Sequence, residues 1–271
     1  MDVISSVSNP KIKQVVKLNA SAGAREKAGL FVLEGLRLCL DLLRSGLQAE
    51  ELYFTEKAAD RNGTEIAALQ AHSAASYLVT EAVAAKLSDT SHSQGVYCVV
   101  RIPEQKEEPL SKTGKYLLLE NVQDPANLGA ISRTAEALGL TGLLVSGGCD
   151  RYSPKALRAS MGALLRLPVY QTTEVTKTIL TAASLGLKTY ASTPRTDAIP
   201  VTAADFSGGV LCVVGNEANG ITEETLQCCQ HPVTIPMAGR AESLNAGAAA
   251  SILMWEMVKP YETTELLDLA P

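Results

Sequence analysis

Three polar, glycine-containing stretches carry the side chains of this sequence that are best suited to chemistry. The first, ENVQDPANLGAISR, contains Asn127 and, six residues later, Arg133. The second is GNEANG, residues 215–220, and the third is PMAGRAESLN, which contains Ser243 and Asn245. Amide, guanidinium, carboxylate and hydroxyl groups together can orient a polar substrate and stabilise developing charge. These stretches therefore indicate a binding or catalytic site.

Several familiar chemistries are disfavoured by what the stretches lack. GNEANG has the two glycines of a phosphate-binding loop at the right spacing, but Ile221 follows where that loop needs a lysine. No G-x-G-x-x-G follows the apolar segment KYLLLENV, and no G-x-S-x-G elbow occurs. Only three histidines are present and no cysteines have CxxC spacing, so we expect no metal site.

Each of the three stretches follows or ends an apolar segment that is predicted to be a β-strand. KYLLLENV, VLCVVGNEANG and HPVTIPMAG are these strands, and helical segments such as PANLGAISRTAEALG alternate with them. Strands that alternate with helices predict a mostly parallel sheet in an α/β fold. Ligands bind at the carboxyl ends of the strands in such sheets. The three stretches are thus expected at the ligand-binding edge.

One charged, proline-containing segment, residues 104–115, is predicted to be a linker. Residues 1–103 before it alternate strand-like segments (LFVLEG, ELYFTE, SYLVTE) with amphipathic helical ones and are predicted to form a small α/β domain. Residues 116–271 after it contain all three polar stretches. The chemistry is therefore expected in the second domain.

The charge distribution leaves a nucleic-acid partner open, although the net charge of −5 is mildly unfavourable. Residues 1–27 hold five basic side chains against two acidic ones, and residues 150–166 hold four against one. Basic patches of this kind either bind phosphates or are ordinary solvated helix faces. The candidates for phosphate contact are Lys11, Lys13, Lys17, Arg25, Arg151, Lys155 and Arg158. No apolar run has membrane-spanning length and no signal-peptide core is present, which predicts a cytoplasmic protein without a membrane partner.

The three stretches together resemble a known family. NVQDPANLGAISRTAEALG, VVGNEANGI and IPMAGRAESLNAGAAASILMWE resemble, in this order, the three motifs of the SpoU class of SPOUT methyltransferases. FVLEG and SHSQGVYCVV are similar to the substrate-binding domain of that family. The resemblance implies a C-terminal parallel-sheet domain with a deep trefoil knot, a small N-terminal α/β substrate-binding domain, and a homodimer through the knotted domain.

The resemblance also implies a reaction, in which a methyl group passes from S-adenosylmethionine to a ribose 2′-hydroxyl of RNA. Ribosomal RNA is the first expectation for the substrate and transfer RNA the alternative. A non-catalytic RNA-binding protein with the same fold is the second hypothesis, and binding of S-adenosylmethionine would discriminate the two. The cofactor-binding residues implied are Gly215, Ile235, Leu244, Thr193 and Met237. For Ile235 and Leu244, plain core packing is the competing explanation.

The catalytic residues implied by the resemblance are Arg133, Asn127, Glu217, Ser243 and Asn245. A guanidinium stays protonated far above neutral pH, so we expect Arg133 to grip the target phosphate and stabilise the developing 2′-oxyanion rather than act as a base. Glu217 either holds Arg133 or caps the neighbouring loop. Ser243 and Asn245 hydrogen-bond either the ribose or the amides at the start of the last helix.

Overall fold

A computed structural model gives the fold. It describes residues 2–90, 93–104, 110–241 and 243–259. The chain forms two compact units, the first comprising Met1–Glu104 with Asp150–Arg166 and the second Gln105–Cys149 with Leu167–Pro271. The segment Asp150–Arg166 thus packs with the first unit, although its place after the linker predicts that it belongs to the domain of residues 116–271. Residues 105–109 of the predicted linker lie outside the described residues.

The first unit contains one five-stranded sheet. Its strands are β1 (Asp2–Ile4), β2 (Leu30–Glu34), β3 (Ala49–Thr55), β4 (Ser73–Val79) and β5 (Val96–Arg101). Its helices are α1 (Pro10–Ala20), α2 (Ala22–Ala28), α3 (Leu36–Leu40), α4 (Leu42–Ser45), α5 (Glu56–Arg61), α6 (Gly63–Ala71), α7 (Glu81–Leu87), α9 (Pro154–Ser160) and α10 (Ala163–Arg166). The strand order is β1-β4-β3-β5-β2, and β5 runs antiparallel to both of its neighbours.

Helix α1 shows why this unit folds as its sequence predicts. The Asn9 side chain accepts a hydrogen bond from the backbone N–H of Lys11 at 2.9 Å, and Pro10 occupies the first turn, where it costs no hydrogen bond. Ile12, Val15 and Leu18, at helical spacing, are buried in the core of the unit. The opposite side of the helix therefore remains available for its lysines.

The segment Asp150–Arg166 is fixed to the first unit by rings and charges. The rings of Tyr152 and Phe31 stack with centroids 4.6 Å apart. Three ion pairs of 2.6, 2.8 and 2.7 Å respectively join the segment to earlier residues: Asp150 to Arg25, Arg158 to Asp89, and Arg166 to Asp41. The sequence predicts one helix here, but Met161 and Gly162 adopt left-handed conformations and separate α9 from α10.

The second unit is built on a seven-stranded sheet in which every strand pairing is parallel. Its strands are β6 (Lys115–Glu120), β7 (Gly142–Ser146), β8 (Val169–Gln171), β9 (Lys188–Ser192), β10 (Ile199–Pro200), β11 (Val210–Val214) and β12 (His231–Thr234). Its helices are α8 (Pro125–Ala137), α11 (Val175–Ser184), α12 (Glu223–Cys228) and α13 (Ala246–Val258), with a short 3₁₀ turn at Val201–Ala203. The predicted α/β class and parallel sheet are confirmed.

The strand order of the second unit, β10-β12-β9-β11-β6-β7-β8, decides where its loops meet. Strands β12, β9, β11 and β6 are consecutive neighbours and parallel, so their carboxyl ends lie along one edge. Strand β11 is buried throughout, as expected for a strand covered on both faces. Within the described residues, no helix is long and apolar enough to cross a membrane.

Candidate active site

A cavity of about 410 Å³ opens at this edge of the second unit. Its walls come from the segments that follow β9, β11 and β12 and from the first turn of α13. Ile221, Leu226 and the alanines of α13 give it apolar surface, while Glu217, Ser243 and Asn219 give it polar surface. All five residues assigned to the cofactor line it: Thr193, Gly215, Ile235, Met237 and Leu244.

A relay of amide hydrogen bonds joins the three polar stretches beside this cavity. The Asn127 side chain, from α8, donates its Nδ2 hydrogen to Glu217 Oε1 at 2.8 Å. Its Oδ1 accepts a hydrogen bond from Asn245 Nδ2 at 3.0 Å. Asn127 is 8% exposed, so the relay is protected from water at its centre. An asparagine suits this position because it donates and accepts at the same time.

Glu217 anchors the loop that precedes α8. Its carboxylate accepts backbone N–H bonds from Gln123 at 3.1 Å and Asp124 at 3.2 Å, in addition to the bond from Asn127. Burial by itself would raise the pKa of the Glu217 carboxyl, but these hydrogen bonds outweigh it and hold that pKa below its usual value. Glu217 was predicted either to hold Arg133 or to cap the neighbouring loop. Its hydrogen bonds are those of a residue that caps the loop before α8.

Arg133 is not brought into the relay. It lies on the exposed side of α8, and among the described residues it makes no hydrogen bond or ion pair. The spacing of six residues explains this, since it turns the helix by about 240° beyond one full turn and places Arg133 away from Asn127. The structure thus separates a fixed amide from an unengaged guanidinium on one helix.

Asn245 is the N-cap of α13. Its Oδ1 accepts hydrogen bonds from the backbone N–H groups of Gly247 at 2.9 Å and Ala248 at 3.3 Å. Ser243 lies two residues before the cap, lines the cavity and is exposed. The helix-capping explanation considered for Ser243 therefore belongs to Asn245, which uses Oδ1 for the helix and Nδ2 for Asn127.

Gly215 is a close-approach position, but toward backbone of the protein itself. A Cβ atom there would lie 2.1 Å from the carbonyl carbon of Gly220 and 2.2 Å from the nitrogen of Ile221. Asn216 and Gly220 exchange two backbone hydrogen bonds of 2.9 Å that close this loop. A side chain at Gly215 would therefore first open the GNEANG loop, which lines the cavity.

Two further positions of the site were not singled out from the sequence. Glu120, at the end of β6, is buried and accepts hydrogen bonds from Thr222 Oγ1 at 2.9 Å and Thr225 Oγ1 at 2.7 Å. Asn216 donates from Nδ2 to the carbonyl oxygen of Asn121 at 2.9 Å. The sequence signals that could have identified them are a carboxylate at the end of an apolar strand and an asparagine after the first glycine of GNEANG.

The three lysines of α1 are in two different environments. Lys13 and Lys17 are exposed on one side of α1 and have no ion-pair partner among the described residues. Lys11 forms an ion pair with Glu51 and lies over the Tyr77 ring. Its pKa is raised, chiefly by the hydrogen bond to Glu51.

Arg25 corrects the expectation of phosphate contact. Its side chain is buried, it pairs with Asp150 at 2.6 Å, and it also donates to the carbonyl oxygens of Leu18 and Asn19. A buried guanidinium with these partners holds two segments of the first unit together and is not available to RNA.

The basic residues of α9 and the turn before it also differ. The Arg151 guanidinium lies 4.8 Å from the centroid of the Tyr152 ring, a cation–π contact. Arg158 is paired with Asp89 at 2.8 Å. Lys155 is exposed. Of these three, Lys155 is the one that presents its side chain most fully to solvent.

Two family models match separate parts of the chain. The model of the SpoU rRNA Methylase family matches residues 114–255, and that of the MRM3-like substrate binding domain matches residues 9–98. An uncharacterized tRNA/rRNA methyltransferase of Synechocystis is 33% identical over 254 residues, covering 93% of this chain and 92% of that protein.

Two further relatives have named activities. The 23S rRNA (guanosine(2553)-2'-O)-methyltransferase RlmP of Bacillus subtilis is 29% identical over 95% of this chain and 99% of its own length. The SpoU methyltransferase AviRb of Streptomyces viridochromogenes, solved with AdoMet, superposes with a TM-score of 0.82 at 26% identity, over 93% of this chain and 97% of that one. The resemblance in the three polar stretches is confirmed, and the chain belongs to the SpoU rRNA Methylase family.

Proposed function

We propose that this chain transfers a methyl group from S-adenosylmethionine to a ribose 2′-hydroxyl in RNA, with ribosomal RNA as the substrate. The observation that carries the proposal is the cavity at the carboxyl ends of β9, β11 and β12, with the amide relay beside it. Family membership and the named activities of RlmP and AviRb support the same reaction.

The residues around the cavity fit the cofactor. Its adenine is a flat apolar ring with polar edges, which suits a slot between side chains such as Ile235 and Leu244 and the loop backbone at Gly215. When bound, S-adenosylmethionine would supply a methyl carbon activated by a sulfonium, and the residues around the cavity would hold that carbon in line with the ribose 2′-oxygen. Methyl transfer of this kind needs alignment and charge stabilisation.

The roles of the chain's own residues follow from their positions. Asn127, Glu217 and Asn245 hold the loop before α8 and the start of α13 in one arrangement, so they position the cavity wall. Ser243, exposed at that wall, hydrogen-bonds the ribose. Arg133, which is exposed and unengaged, grips the target phosphate and stabilises the developing oxyanion.

The RNA contacts of the first unit are assigned to the exposed lysines. Lys13 and Lys17 share one side of α1, and Lys155 lies on α9 of the same unit. Exposed ammonium groups bind phosphates without sequence preference, so they supply affinity and salt dependence. The match of residues 9–98 to a substrate binding domain supports this assignment. The cytoplasmic location expected from the sequence stays a prediction.

The protein is further proposed to work as a homodimer through the second unit. Helix α13 exposes Ala248, Ile252 and Trp255 along one side, and Trp255 is 56% exposed. A solvent-facing stripe of this kind indicates a protein interface. Helix α8, which packs on α13, carries Arg133 on its own exposed side. Analytical sedimentation of Trp255→Asp beside the unchanged chain tests this. We expect the variant to be a monomer, and a variant that remains a dimer would contradict the proposed interface.

A trefoil knot in the second unit is also part of the proposal. Helix α13 is in van der Waals contact with α8 at Gly247, where a Cβ atom would lie 3.6 Å from Asn127 Oδ1 and 3.9 Å from Ala130 Cβ. Such small-residue packing suits a helix threaded beneath a loop. Pulling the full chain by residues 110 and 259 measures the knot directly: a knotted chain stops short of its full contour length, whereas an unknotted one extends completely.

The reaction is tested with the purified full chain. Calorimetric titration should give saturable binding of S-adenosylmethionine, and radiolabelled methyl transfer should modify ribosomal RNA from a strain that lacks the gene. Mapping 2′-O-methylated riboses then identifies the nucleotide. Transfer to transfer RNA alone would replace the substrate, and RNA binding without binding of S-adenosylmethionine would favour the non-catalytic alternative.

A further inference from the structure

One cavity residue is not explained by the relay or by the motifs. Arg195 lies in the segment after β9, and among the lining residues in the described part of the chain it is the one lysine or arginine. The other charged lining residues are Glu217 and Glu223. The charged groups of the cavity are therefore two carboxylates and one guanidinium.

The guanidinium of Arg195 already holds a carboxylate. Its Nε donates to Asp197 Oδ1 at 2.9 Å and its Nη2 donates to Asp197 Oδ2 at 2.7 Å. This is the two-pronged geometry in which arginine recognises carboxylates. The two side chains are 50% and 62% exposed, so both partners stay hydrated and the pair contributes little to stability. Exchange of Asp197 for another carboxylate would therefore cost little.

Resting on the proposed methyltransferase function, we propose that Arg195 binds the α-carboxylate of S-adenosylmethionine. Asp197 occupies the guanidinium in the free protein and gives it up to the cofactor. The charges of the cavity support this division, because Glu217 and Glu223 repel a carboxylate and suit the ammonium and sulfonium groups instead. The cofactor carboxylate, once in place, would meet the same two donors that Asp197 meets now.

The choice between the cofactor and an RNA phosphate rests on position and geometry. Arg195 lines the same cavity as Gly215, Ile235 and Leu244, and its fork is already matched to a carboxylate. We therefore treat phosphate binding as the competing outcome of the experiment.

The experiment compares two ligands that differ only in this group. S-adenosylmethionine and its decarboxylated analogue are titrated into the full chain, without RNA, by calorimetry. The unchanged protein should bind the carboxylated ligand about tenfold or more tightly, as expected for a charged pair of hydrogen bonds. Arg195→Gln should lose that advantage while its affinity for the analogue stays the same. Asp197→Asn should strengthen binding of S-adenosylmethionine, because the competing carboxylate is gone.

Arg240→Gln is the matched control, since Arg240 is exposed on the third polar stretch but does not line the cavity; both affinities should stay unchanged. An equal loss for both ligands in Arg195→Gln overturns the proposal and makes Arg195 a general support of the wall. Unchanged cofactor binding in Arg195→Gln, together with weaker binding of RNA in a separate titration, overturns it in favour of a phosphate. If the unchanged protein binds neither ligand, the proposed function fails first.

Discussion

The two sides of helix α8 differ in a way that separates framework from chemistry. On the buried side, the Asn127 amide donates a hydrogen bond to Glu217 and accepts one from Asn245. On the exposed side, Arg133 makes no hydrogen bond or ion pair with the described residues. The polar groups that position the cavity are satisfied before any ligand arrives. The guanidinium proposed to act on the substrate is left with its donors unused.

This contrast teaches which substitutions should affect folding and which should affect rate. A buried amide whose hydrogen bonds are all made stabilises the folded chain, because its removal leaves its partners without hydrogen bonds. An exposed guanidinium with no partner contributes little to stability, so its replacement should be visible only when substrate is present.

The largest effect is expected from Arg133→Ala. Loss of a group that stabilises transition-state charge should lower the single-turnover rate by about a hundred- to a thousandfold. Arg133→Lys should not restore the full rate, because an ammonium lacks the planar fork. Affinity for S-adenosylmethionine and the free energy of unfolding should change little. A near-normal rate in Arg133→Ala, or a loss confined to cofactor binding, would contradict the proposed role.

Asn127→Ala should produce the opposite profile. Glu217 and the Asn245 amide would each lose a partner, so the free energy of unfolding should fall by about 1–3 kcal/mol. Urea denaturation measures this free energy. Arg133→Ala, on the same helix, is the control, and its free energy of unfolding should equal that of the unchanged protein. Asn127→Asp should destabilise as well, because it places a second carboxylate against Glu217. Equal stability of Asn127→Ala and Arg133→Ala would erase the contrast between the two sides.

Gly215→Ala should open the GNEANG loop. The added Cβ meets the backbone of Gly220 and Ile221, which cannot rotate away, and such overpacking costs about 1–3 kcal/mol. Binding of S-adenosylmethionine should weaken in the same variant. Gly220→Ala is the comparison, since a Cβ there meets nothing within 4 Å and only the φ of +68° is unfavourable. The two variants are compared by calorimetry, and a milder effect at Gly215 would refute the close approach.

The smallest effect is expected in the first unit. Changing Lys13 and Lys17 together to Gln should reduce the salt slope of RNA binding by roughly 1 to 2, because each neutralised phosphate contributes somewhat less than one unit for a single strand. Lys11→Gln should change the slope less, since Glu51 already neutralises that lysine. Filter binding across a salt series gives both values. Identical slopes in the double variant and the unchanged protein would return these lysines to an ordinary solvated face.

Much of the second unit could be predicted from the sequence because its signals are local. Apolar segments alternating with helices predict the parallel sheet, and Thr222 caps α12 as its position before the helix indicates. The second and third polar stretches line one cavity, and hydrogen bonds of Asn127 join the first stretch to them. The amide relay could not be predicted, since it joins residues 90 and 118 positions apart. Sequence patterns report on residues within one helix or strand, so pairs this far apart along the chain cannot be read from them.

The fate of the basic residues shows a second limit. Arg25 and Lys13 are both basic residues of helical segments in the sequence. Arg25, however, is buried and forms an ion pair with Asp150, which lies 125 residues later. Helical spacing tells which side of α1 faces the core, and it says nothing of a partner from a remote segment. Charge counts therefore located the basic regions but not the free cations within them.

The discontinuous composition of the first unit constrains how its gene can be divided. A fragment ending at Glu104 would encode all five strands of that sheet but lack the segment Asp150–Arg166. Phe31 would lose its stacking partner Tyr152, and the buried Arg25 would lose its counterion. Exchange of this unit between related genes would thus require that both of its segments, Met1–Glu104 and Asp150–Arg166, are exchanged together. For the same reason, a single cut in the chain cannot release the first unit intact.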